Sequence, residues 1–199
     1  MMRIPLIDLR RRGLAIAIGY VVFVACYLGA PRLAAHPPFV LIPSPLDHLI
    51  PFVGASVIVY LSQFVFLFLA LRGCRTSVEF TRMVAAIFLA TLLSCAVFIL
   101  WPTTIVRPAA AMGPIFALLY ATDVPTNCFP SLHVALATIA AGLWPRRSTR
   151  LLAIGWAALI ALATLTTKQH YMIDVGGGFV IGTIALSMLP RSRTLPDEP

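Results

Sequence analysis

The chain has 199 residues, 60% of them hydrophobic and only 11% charged, where a soluble domain carries roughly 25% charged residues. A water-soluble fold of this size has no interior large enough to hide so much apolar surface, so that class is excluded. The net charge of +8 does not signal a nucleic-acid partner, because the arginines lie between apolar runs with no aromatic-interleaved basic patch.

The first apolar run, about residues 14–30, follows Arg10-Arg11-Arg12. It resembles a signal-peptide hydrophobic region ending near Ala30 or Ala35, but its length through Gly29 favours an uncleaved first helix. Residues 31–51 contain Pro31, Pro37, Pro38, Pro43, Pro45 and Pro51. Proline that dense excludes a continuous helix and predicts an extended strap along the membrane surface. On it, His36, Asp47 and His48 could serve a function, but surface polar residues are the reading the loop favours. Further apolar runs follow at about 52–71, 83–101, 131–144, 151–167 and 174–190. The stretch 109–122 is apolar but short and holds Gly113 and Pro114, which fits an interfacial or re-entrant segment better than a span. The expected fold is an all-α integral membrane protein, one membrane domain over residues 1–199, with six transmembrane helices in a bundle.

Charge sets the orientation. Arg3, Arg10, Arg11, Arg12, Arg72, Arg75, Arg82, Arg146, Arg147, Arg150, Arg191 and Arg193 fall on one side of a six-span layout. Only Arg32, Arg107 and Lys168 fall on the other. The positive-inside rule then makes both termini cytoplasmic. A seventh span at 109–122 would move five arginines outside. Short loops and compact length point to a bacterial inner membrane. The four cysteines show no metal-type spacing and read as free thiols.

Three strings carry chemistry, and all three come out on the non-cytoplasmic side. Arg107-Pro108 follows the third span. Cys128-Phe129-Pro130-Ser131-Leu132-His133 enters the fourth. Pro130 reads as a helix start, whose free N–H groups and dipole would seat a phosphate with Ser131 adding a hydroxyl. An ordinary helix start with a histidine facing headgroups reads as well. The third string, Thr167-Lys168-Gln169-His170-Tyr171-Met172-Ile173-Asp174, enters the sixth span. His170 and Asp174 are four apart and share a helix face, so Asp174 accepts from one ring nitrogen and leaves the other as a nucleophile. A metal site competes with that reading, but two ligands without a third in sequence support it poorly. The glycines of Gly178-x3-Gly182 suit close helix packing.

Together the strings resemble the type 2 phosphatidic acid phosphatase family, whose usual pattern is Lys-x6-Arg-Pro, Pro-Ser-Gly-His and Ser-Arg-x5-His-x3-Asp. Arg107-Pro108, Pro130-Ser131-x-His133 and His170-x3-Asp174 match in order, over roughly residues 50 to 190. Leu100 stands at the lysine position, Leu132 at the glycine, and Ala163-Thr164 at the Ser-Arg pair. Lys168 is a candidate replacement for the missing arginine. Pro-Ser-Leu-His with Lys-Gln-His-Tyr-x-x-Asp is closest in style to the inositol phosphorylceramide synthase branch, which transfers a phospho-headgroup between lipids.

The resemblance implies a membrane lipid phosphatase or phosphotransferase working through a phosphohistidine, without metal or cofactor. His170 is then the nucleophile, Asp174 its orienting partner and His133 the general acid and base. Arg107, Lys168 and Ser131 bind phosphate, and the partners are a phosphorylated lipid and water or an alcohol acceptor. The alternatives are a catalytically degenerate lipid-phosphate binder and a small membrane transporter. A transporter predicts ionisable groups near the bilayer middle, and the spans hold essentially none.

Overall fold

A computed structural model of the chain describes residues 5–107 and 113–189. Each of the six apolar runs contains a helix: α1 (Arg12–Gly29), α3 (Val57–Gly73), α4 (Ser77–Leu100), α6 (Leu132–Gly142), α7 (Arg150–Thr166) and α8 (Met172–Met188). Two short helices lie between them, α2 (Pro45–Leu49) in the proline-rich strap and α5 (Pro114–Thr122) in the stretch expected to be interfacial or re-entrant. Its residues 109–112, like Arg3, Pro108, Arg191 and Arg193, lie outside the described residues.

The helix boundaries shift for local reasons. The third run begins at Ser77 and not near 83, because Thr76 and Glu79 form a capping box that starts the helix ahead of its apolar part. Asp174 Oδ2 accepts the Tyr171 N–H at 2.9 Å, and α8 begins at Met172, two residues earlier than expected.

Among the described residues, four helical segments, Leu9–Leu33, Gly54–Gly73, Ser77–Leu100 and Arg147–Thr166, are long and apolar enough to cross a membrane. Helices α6 and α8 are shorter, at 11 and 17 residues. At 1.5 Å per residue α6 is about 16 Å long, roughly half the hydrocarbon thickness. It is also the helix buried on every side, with eight of its eleven residues in the interior. Helices α3, α4, α7 and α8 surround it, whereas α1 packs mainly on α4 and has no buried residue. The outer faces expose Leu14, Ile18, Val65, Leu159 and Phe179, an apolar belt that needs lipid.

Backbone contact joins α6 to α8. A Cβ at Gly178 would sit 2.2 Å from the Ser131 carbonyl oxygen, and one at Gly182 would sit 2.7 Å from that of Ala135. The Gly178-x3-Gly182 face therefore does what its spacing suggested. At the basic end, Arg12 donates to the Arg72 and Cys74 carbonyls and Arg150 to that of Gly142. These cations close the C-termini of α3 and α6, where the helix dipole is negative. The opposite end carries the three motif strings.

There the strap is laced down. Strand β1 (Phe39–Val40) pairs in parallel with β2 (Thr103–Thr104), and Thr103 bridges in turn to Asn127. Asp47 is not the surface residue its loop position suggested. It is 6% exposed, because its carboxylate closes a capping box with Ser44 and turns inward to α8. His36 and His48 are exposed as expected.

Gly178→Ala is expected to destabilise the fold by about 1–3 kcal/mol through overpacking. Gly155→Ala, on an open helix face with nothing within 4 Å, is expected to be neutral or to stabilise by about 0.5–1 kcal/mol. Thermal unfolding of the two variants in one detergent separates these outcomes.

Candidate active site

Helix α7 ends in a turn that aims the nucleophile candidate. The Lys168 N–H donates to the Leu165 carbonyl and the Gln169 N–H to that of Thr164, the pairing of a Schellman motif. Lys168 takes the left-handed position of that turn, with φ 55°. The His170 N–H donates to the same Thr164 carbonyl at 3.2 Å, so the chain doubles back before α8 begins. His170 is 7% exposed and Asp174 fully buried. Their Nδ1 and Oδ2 atoms are 3.4 Å apart, which leaves Nε2 as the ring nitrogen turned away from the carboxylate.

Helix α6 brings the second histidine to the same place. Ser131 is its N-cap, so Pro130 stands just ahead of the helix and not in its first turn. The Ser131 N–H donates to the Asp174 carbonyl at 2.9 Å, which sets the N-termini of α6 and α8 side by side. No side chain caps the first turn of α6, and the Ser131 hydroxyl is buried without a partner. His133 stacks on Tyr60 at 4.2 Å between ring centroids, with Nδ1 3.4 Å from the Tyr60 hydroxyl. The His133 and His170 rings lie 6.4 Å apart.

The expected cations are placed differently from an open clamp. Arg107 Nη2 binds Asp123 Oδ2 at 2.6 Å, and its guanidinium sits 5.6 Å from the Tyr120 ring. Asp123 Oδ1 accepts from the Tyr27 hydroxyl at 2.6 Å, which ties α1 to this end. Asp123 lies within electrostatic reach of both His133 and Tyr60. Lys168 donates to the Asp47 carbonyl at 3.0 Å and to the Ile50 carbonyl at 2.5 Å, so its ammonium is turned to the strap. At the positions where the resemblance leads one to look for further cations, Leu100 is exposed and Thr164 is fully buried. Burial pushes the Cys128 thiol up to about 12, so this loop cysteine stays protonated and unreactive.

His170, Asp174, His133 and Ser131 thus converge, while Arg107 and Lys168 stand at the same end with their charges already satisfied. Tyr60 and Asp123 were not singled out from sequence. An aromatic inside an apolar span carries no signal, but an acid bordering the apolar segment 109–122 does. Buried polar atoms without a hydrogen-bond partner gather here: Ser131 Oγ, Gln169 Oε1 and Asp174 Oδ1. Such atoms are costly unless water or a polar ligand meets them. Two imidazoles, one backed by a carboxylate, beside an uncapped helix start suit attack on an anionic group.

Residues 55–188 match the PAP2 superfamily, and the chain belongs to that family of integral membrane proteins. It carries a membrane phosphatase-type domain, and membership implies a phosphorylated substrate. Searches among curated proteins and among solved structures found no match.

Tyr60→Phe keeps the stack on His133 and loses only a 3.4 Å contact, so a cost below about 1 kcal/mol is expected. Tyr60→Ala empties a buried aromatic site and is expected to cost about 3–5 kcal/mol. Chemical or thermal denaturation in detergent measures both.

Proposed function

We propose that the chain is a lipid phosphatase or phospho-headgroup transferase acting through a phosphohistidine, and that it uses no metal. The observation that carries this reading is the pair of histidines 6.4 Å apart with Asp174 behind one of them. In the first half-reaction His170 Nε2 attacks phosphorus, the bond to the leaving oxygen breaks, and His133 protonates that oxygen. Asp174 stabilises the charge that the His170 ring acquires. In the second, water or an alcohol attacks the phosphohistidine, His133 takes its proton, and the N–P bond breaks. The Ser131 hydroxyl and the N–H groups of the first turn of α6 are suited to the equatorial oxygens. The acceptor decides between hydrolysis and the headgroup transfer of the inositolphosphotransferase-like branch.

The layout that goes with this reading has six spans, both termini cytoplasmic and the site at the outer surface of a bacterial inner membrane. Its support is that cations gather at one end of the bundle and the motif strings at the other. Among the described residues, the buried Asp47, His170 and Asp174 all lie at the motif end, which favours surface chemistry over a transport path. Arg107 fits the scheme as a cation that Asp123 holds until phosphate competes for it. Lys168, bound to the strap, fits as support for the loop and not as part of the clamp.

Protein purified in detergent, with EDTA present, is to be given labelled phosphatidic acid, or phosphatidylinositol with ceramide. Free phosphate is the expected product of hydrolysis, and a new headgroup-bearing lipid that of transfer. His170→Ala is expected to abolish either. Turnover that survives in this variant overturns the nucleophile assignment. A separate outcome is expected for Asp123→Asn, which releases Arg107: inorganic phosphate inhibits more strongly, tenfold for each ~1.4 kcal/mol of pairing lost. Unchanged or weaker inhibition removes Arg107 from the phosphate site.

A further inference from the structure

The strap residue Asp47 reaches the catalytic loop twice. Its Oδ1 accepts the Met172 N–H at 2.8 Å, and its backbone carbonyl accepts from Lys168 Nζ at 3.0 Å. Met172 and Lys168 flank His170 symmetrically, two residues on either side. One residue of the strap therefore holds both shoulders of the histidine, across more than a hundred residues of chain. The other carboxylate oxygen is also occupied, by the Ser44 N–H at 2.8 Å and the Ser44 hydroxyl at 2.6 Å. Asp47 is thus fixed before it fixes anything else.

The conformation of Lys168 points the same way. At φ 55° it occupies a position where glycine is the usual residue and a side chain costs about 1–2 kcal/mol. Glycine would make the same turn without that cost. A lysine there is explained by its ammonium, which binds the Asp47 and Ile50 carbonyls. Although burial raises the Asp47 carboxyl, hydrogen bonds from Ser44 and the Met172 N–H, with Lys168 nearby, hold it below its ordinary range and so ionised at neutral pH.

We infer that Asp47, with Lys168 as its tether, is a positioning residue for His170: the strap is a clasp that holds the nucleophile in line. This rests on the reading of His170 given above. A displacement of about 1 Å at a reacting atom can cost about a hundredfold in rate.

The test uses full-length Asp47→Ala, Asp47→Asn and Lys168→Gly in the phosphatidic acid and phosphatidylinositol–ceramide assays, with hydrogen exchange of the 164–174 segment read by mass spectrometry. Asp47→Ala is expected to lower kcat by about 10–100-fold with KM little changed, and to speed amide exchange at Met172. Asp47→Asn, which keeps an oxygen for the Met172 N–H, is expected to recover part of the loss. Lys168→Gly keeps the turn and the melting temperature but is expected to lower kcat. Wild-type kcat in Asp47→Ala overturns the inference. So does a rise in KM with kcat unchanged in Lys168→Gly, which would make Lys168 a phosphate ligand. If wild-type protein turns over neither substrate, the functional reading is what has failed. The exchange measurement then decides the clasp alone, and unchanged exchange in Asp47→Ala overturns it.

Discussion

Everything at the functional end depends on a backbone contact between α6 and α8. The Ser131 N–H donates to the Asp174 carbonyl at 2.9 Å, and Gly178 comes so close to the Ser131 carbonyl that no side chain fits between them. Both ends of this contact sit beside the two histidines. His133 is two residues beyond Ser131, and His170 is four residues before Asp174. The spacing of the two imidazoles is thereby set by main chain, which has far less freedom than a long side chain. A polar backbone pair at this depth also has little water to compete with it.

A second constraint is that charges taken out of water must be paired. At the histidine end, Asp47 and Asp174 each accept a backbone N–H at the start of α8, and Asp123 takes Arg107 and Tyr27. Lys168 is spent on two carbonyls of the strap. The result is an organised site in which little net charge is left open. The family pattern without its lysine and one arginine is consistent with that economy. The Arg107–Asp123 pair has both side chains about seven-eighths buried, so an incoming anion would compete with an interaction that water screens only weakly.

Much of this architecture was readable residue by residue. Long uncharged runs separated by arginines specify helices and their order, since both signals are local and additive. The His170-x3-Asp174 spacing predicts two groups on one helical face with no tertiary information. Even so, His170 stands just before α8, and its loop is shaped by the end of α7. The capping box of Thr76 and Glu79 was also legible in principle, although hydropathy alone put the start of that helix too late. Helix α6 was recognisable as apolar but not as the buried centre of the bundle, because a run surrounded by helices and one surrounded by lipid have the same composition.

The sequence by itself determined that this is a membrane protein of the PAP2 kind, with two histidines and an aspartate at one end of its helices. Tertiary structure alone decided which partners the ionised groups take. Lys168 and Asp47 are 121 residues apart and Met172 and Asp47 are 125 apart, while Asp123 takes Arg107 from across α5 and the Tyr27 hydroxyl from 96 residues away. A side chain with several rotatable bonds reaches many partners from one position. Its choice follows from which carbonyls and carboxylates the packed helices leave beside it, and that arrangement exists only once the bundle has formed.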